Sequence, residues 1–228
     1  MPGFHYILLA LFLSFLPVQS LVYALDSERT TLEAEVWALT EPADFEAMEL
    51  KPVTTDDMRK ALLEEARYIF GGMIFGFTFS YVPLDRARGV DEAFSLTPVH
   101  APAWGDKDMV IKQTRVENGF LYCRFSYRLK EYQETWYGLW RSNDYPRASA
   151  IGAGNLFFGP LEKFTAVNNA VKEAVREYAR LRIASKPWKI EGEALFAQPP
   201  AVYIDAGSYY ARVRVKLNIK TVVPYLRY

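Results

Sequence analysis

Three glycines set the first chemical question. Gly152, Gly154 and Gly159 stand in NDYPRASAIGAGNLFFGP, residues 143–160, just ahead of a segment with helical periodicity. Glycines between a strand and a helix N-terminus can cradle a phosphate, because backbone N–H groups then approach it closely while the helix dipole favours its charge. A dinucleotide fingerprint needs G-x-G-x-x-G, but Phe157 occupies the third glycine position, and no GK[ST] follows to make a P-loop. Glu173 and Glu177 lie near the distance of a ribose-binding acid, yet inside the helical segment and not at the end of a second strand. The glycines are therefore expected to relieve crowding where a strand bends or passes close to a helix, with Gly159 and Pro160 opening that helix.

The other reactive side chains are sparse. His5 and His100 are the two histidines, and one histidine beyond the N-terminal segment cannot build a histidine metal cluster. Any Ser-His-Asp triad would have to use His100, and no G-x-S-x-G elbow is present; Gly207 and Ser208 read as a turn before a strand. Cys123 falls on the apolar side of an alternating segment, where a thiol behaves as a small buried hydrophobe and not as a nucleophile. Asp106 and Asp108 do not complete a calcium loop, and Glu41, Asp44, Glu46 and Glu49 read as solvated surface. No metal and no cofactor is expected. A hydrolase acting on glycans needs only two carboxylates, for which Asp144, Asp205 and Glu134 are the first candidates.

Two surfaces have a composition suited to binding. Residues 120–145 interleave aromatic rings with Arg124, Arg128, Lys130 and Arg141. Within them Tyr132, Trp136, Trp140, Arg124 and Arg128 are the candidate binding residues, since aromatic faces beside polar groups stack on sugars or hold peptides. The second surface is the polar side of the last strand, Arg212, Arg214, Lys216 and Lys220, expected to be solvated and balanced across the sheet by Glu191 and Glu193.

The elements that must position these residues follow from periodicity. Residues 7–16, ILLALFLSFL, followed by Pro17 and Val22-Tyr23-Ala24, form an apolar core of about ten residues with an A-x-A-like site, the pattern of a secretory signal. The run is too short for a membrane span, which needs ~20 apolar residues. We expect residues 1–24 to be removed and residues 25–228 to form a single exported α+β domain, periplasmic or secreted, that does not span the membrane. Lys+Arg 27 against Asp+Glu 27 leaves no net charge, so the basic footprint of a nucleic-acid binder is missing.

Strand patterns are expected at 31–39, 73–82, 109–117, 120–129, 148–158, 188–197 and 208–223, with Asn118-Gly119 as a hairpin turn. Residues 132–140 are read as strand from their aromatic content, and 83–108 as a long irregular connection. A helix is expected from a Thr54 cap to Phe70, ended by Gly71 and Gly72, and a second over 161–184 with Leu161, Phe164, Val167, Val171, Ala174, Val175, Tyr178 and Leu181 inward. The order strand, helix, strand, strand occurs in each half. The fold class is α+β: a largely antiparallel sheet of about six to eight strands with two amphipathic helices on one face, in two pseudo-repeated β-α-β-β halves. The favoured function is a non-enzymatic binding or interaction module for an envelope protein, peptide or glycan. A carboxylate-pair glycan hydrolase and an outer-membrane-associated protein are the alternatives.

Overall fold

A computed structural model describes residues 29–40 and 55–225. The leader, the acidic stretch at 41–52 and the Thr54 cap lie outside these residues. The described chain runs β1 (Thr31–Leu39), α1 (Thr55–Ile74), β2 (Phe77–Val82), β3 (Ala93–Pro98), β4 (Met109–Glu117), β5 (Phe120–Arg128), α2 (Glu131–Leu139), β6 (Arg147–Asn155), α3 (Glu162–Arg182), β7 (Lys189–Phe196), β8 (Ala201–Asp205) and β9 (Ser208–Val223). It is an α+β fold with two antiparallel sheets. One has three strands in the order β1-β5-β4; the other has six, in the order β3-β2-β7-β9-β6, with β8 also on β9. The order β1-α1-β2-β3 is echoed by β6-α3-β7-β8, although β1 pairs in the small sheet and β6 in the large one. The large sheet is open, with β3 and β6 at its ends, so it makes no closed barrel.

Alternation decides which face is covered. Tyr209, Ala211, Val213, Val215 and Leu217 of β9 are buried, as are Phe77, Phe79 and Tyr81 of β2. α3 packs on this face against β6 and β9. It comes so close that a Cβ on Gly152 would collide with the Ala170 backbone nitrogen, and one on Gly154 with the Glu162 carbonyl oxygen. The glycines are a bed for a helix and not a phosphate cradle. For the same reason the buried stripe of α3 includes Ala166 and Ala170, where only small side chains fit, while Leu161 and Leu181 are exposed.

α1 packs against β1 and β5 on one side and β7 on the other. Its Tyr68 donates to Asn168 Oδ1 of α3 at 3.3 Å. Leu32, Ala34 and Val36 of β1 share a buried face with Tyr127, Phe125 and Cys123 of β5. Cys123 therefore points into the core, and burial pushes its thiol pKa up.

Four expectations need correction. α1 does not stop at Gly71-Gly72 but runs to Ile74, because those positions face Phe196, Phe77 and the His100 carbonyl, where a Cβ would not fit. The stop is Gly76, at φ +74, whose N–H donates to the Gly71 carbonyl at 3.1 Å, and β2 begins after it. Residues 132–139 are helical and Trp140 caps the helix: Glu131 and Glu134 occupy the first turn, where the dipole favours acids, and Gln133 Oε1 accepts from the Lys130 N–H at 2.8 Å. Residues 83–108 contain β3, an exposed edge strand on β2, which tolerates Pro98 at its end. Lys216, expected at the solvated surface, is 8% exposed.

Candidate functional site

The two sheets meet edge to edge. β1 is one edge of the small sheet, and β8 borders β9 on one side only. Trp37 Nε1 donates to the Val202 carbonyl at 2.9 Å and ties the two edges together. Beside that tie lies a cleft of about 400 Å³, lined by the rings of Trp37, Phe120, Tyr122 and Tyr203 and by the carboxylates of Glu35 and Glu65. Phe120 packs edge-on to Trp37 at 5.0 Å between centroids, and Tyr203 stacks on Tyr210 at 5.7 Å.

The two carboxylates are held in opposite ways. Glu35 Oε1 and Oε2 accept from Arg115 at 2.9 and 2.5 Å, and Arg124 approaches at 3.4 Å. These hydrogen bonds, the one from Arg115 foremost, hold Glu35 below the usual carboxylate range. Glu65 comes from α1, between the sheets. Burial pushes its pKa up, although Lys163 of α3 donates to Oε2 at 2.9 Å and works against the shift. Lys163, 5% exposed, is in turn pushed down by burial. Its ammonium also donates to the Trp37 carbonyl and lies 3.8 Å from the centroid of the Trp37 ring. Tyr209 stands beside Trp37 at 6.1 Å, and burial, with the nearby Glu65 carboxylate, pushes its hydroxyl up to about 12. The cleft thus holds one acid biased to keep its proton and one biased to lose it, among aromatic rings.

The residues singled out from sequence fall in three places. Tyr132 and Trp136, 51% and 43% exposed, lie over Phe75 at 6.4 and 6.1 Å, with His100 edge-on to Phe75 at 5.0 Å. Trp140 is buried and packs on Tyr145 at 4.6 Å. Arg124 belongs to the Glu35 cluster, while Arg128 pairs with Asp108 at 3.1 Å. The three carboxylates first considered for acid–base work do not converge: Glu134 accepts from the Thr30 N–H and hydroxyl at 2.6 and 2.9 Å, Asp144 accepts from Ser142 at 2.6 Å, and Asp205 ends β8. Glu35, Glu65 and Lys163 were missed. The one sequence signal was Lys163 interrupting the first turn of an apolar stripe, which by itself reads as surface. Among the described residues no group of His, Cys, Asp and Glu could hold a metal ion, and no helix is long and apolar enough to cross a membrane.

The model of an uncharacterised protein family matches residues 20–225. The chain belongs to that family. It is also similar to an uncharacterised protein of Treponema pallidum (strain Nichols), 25% identical over 202 residues, which cover 89% of this chain and 85% of the relative. No solved structure matches. Family membership thus reaches across all the described residues, the cleft included, and says nothing of what the cleft holds.

Proposed function

We propose that this protein is an exported, non-enzymatic binding module that takes a short glycan in the cleft between β1 and β8. The observation that carries the reading is the lining itself: four aromatic rings beside two carboxylates in about 400 Å³, within the range of ligand pockets. Rings stack on the apolar faces of sugars, and carboxylates accept their hydroxyl protons. Export rests on the leader at residues 1–24, after which the mature chain begins at Leu25. Intact-mass measurement of protein from its native host tests that part, and a soluble cytosolic species retaining Met1 would sink it. For binding, Trp37 reports from inside the cleft. Its fluorescence should respond saturably to chito-oligosaccharides, and Tyr122→Ala and Tyr203→Ala should weaken the response. A flat titration with chito-oligosaccharides and with peptidoglycan fragments would remove the glycan reading.

A second reading is favoured by the opposed carboxylates. Two titratable groups driven apart by their surroundings are the mark of an acid and base pair. Here Glu65 would donate a proton to a leaving glycosidic oxygen and Glu35 would act as the ionised partner. Release of reducing ends from a glycan, abolished in both Glu65→Gln and Glu35→Gln while binding persists, would favour the hydrolase over the binding module.

A further inference from the structure

The face of the large sheet away from α1 and α3 carries a second cleft, of about 540 Å³, lined by Arg141, Arg147, Ser149, Gln198, Arg214 and Lys216. Four of its polar groups are cations, and none of the four forms an ion pair among the described residues. The register explains their convergence: Arg147 of β6 lies directly opposite Lys216 of β9, and Ser149 opposite Arg214, so all four project from one face. Arg141 is added by the turn after α2. Like charges directly opposite on a sheet repel, yet no carboxylate intervenes. The shortage of acid is local. Four residues further along the same strand Lys220 meets Glu193 at 3.3 Å, and on α3 Arg180 meets Glu177 at 2.6 Å.

Lys216 is the centre of the cluster. Its stem is buried under the turn after α2, and its ammonium donates to two neutral acceptors, the carbonyls of Trp140 and, at 3.3 Å, Ser142. Burial, with Arg147 and Arg141 nearby, pushes its pKa down. Arg214 donates to Gln198 Oε1 at 3.4 Å, which fixes the amide without neutralising the guanidinium. A fold that places a buried lysine among three arginines without an acid has left the counter-charge to come from outside. Arginine forks match the paired oxygens of a phosphoryl group, and a dianion suits the excess of cations.

We propose that this cleft binds a phosphorylated small molecule through its phosphoryl group. The side chains of Ser149 and Gln198 then lie at its margin, available to the rest of the molecule. Calorimetric titration of the full chain with inorganic phosphate and with glycerol 3-phosphate, at constant ionic strength against chloride, tests it. Both phosphates should bind saturably, and Arg147→Ala and Arg214→Ala, each an exposed side chain, should each weaken binding about tenfold, as expected for losing one charge-assisted contact. In chloride alone Arg147→Ala should keep or raise Tm, because it removes a repulsion. Phosphate binding no tighter than chloride, binding indifferent to both substitutions, or a fall in Tm for Arg147→Ala in chloride would each overturn the proposal.

Discussion

Glu65 and Lys163 show what a partner is worth when water is excluded. They stand 98 positions apart in the chain, on α1 and α3, and both side chains are buried. Lys163→Met should cost up to about 3–5 kcal/mol in chemical denaturation, because the buried Glu65 must then either stay charged without its cation or take up a proton. Adding Glu65→Leu should restore most of that loss, since a well-packed apolar pair replaces an ion pair at little net cost. A double variant no more stable than the single one would mean that the pair is not isolated from water. Glu35 gives a different signature. Its folded pKa lies below the ordinary 4.5, so the stability it supplies is present above that value and is lost as pH falls through the lowered one. Denaturation of the wild type and Glu35→Gln should therefore differ at neutral pH and converge on acidification; parallel curves would show that Arg115 and Arg124 add nothing. Residues of this kind were hidden in the sequence, because a buried polar pair across 98 positions leaves no periodic trace. Cys123 was legible because it sits in a strand whose alternation is unbroken.

Elements were easier to read where one face is apolar and the other polar. β9, with its alternation over sixteen residues, emerged with its boundaries intact, and the Asn118-Gly119 hairpin turns at φ 49 and 78 as those residues allow. Reading failed where a second layer overrides local preference. Aromatic content suggested strand at 132–140, but Tyr132 and Trp136 sit on an exposed helix face over Phe75, and the buried member of α2 is Gln133, whose amide donates to Tyr127 at 2.8 Å. In α3 the expected stripe holds at Val167, Val171, Ala174 and Val175, which are buried, but its ends Leu161 and Leu181 are exposed, and contact with a glycine-lined strand adds the small residues Ala166 and Ala170. Gly152→Ala should cost about 1–3 kcal/mol or more, the range for overpacking, because the obstructing atoms belong to the backbone of α3. An unchanged denaturation midpoint would show that α3 can lift from β6 freely. On β9 the pair Lys216 and Leu217 makes a second test. Leu217→Ala should lose about 2–5 kcal/mol as a fully buried leucine. Lys216→Ala should lose about 1–3 kcal/mol, because its ammonium anchors the buried Trp140 carbonyl and the partly buried Ser142 carbonyl of the turn above it. A change within about 0.5 kcal/mol for Lys216, the usual result at a surface, would place it in solvent instead.

At the scale of the whole molecule the two clefts lie on different parts of one frame: one at the seam between the sheets, the other on the outer face of the large sheet. Their separation means that each can be emptied by substitution without touching the other, which keeps the two proposals distinguishable. β9 is what that frame shares. It pairs with β6, β7 and β8, and β6 and β8 reach the large sheet only through it. It is also made later than every other described strand. During synthesis, β6 and β8 must therefore wait as unpaired edges until residues 208–223 leave the ribosome, and the six-stranded sheet cannot close before then. A chain truncated before Ser208 should fail to give cooperative unfolding, whereas one that melts cooperatively would show that an earlier nucleus suffices. The delay would serve the export proposed above. A chain that cannot complete this sheet until β9 arrives stays threadable, and passage through a translocation pore requires an extended chain.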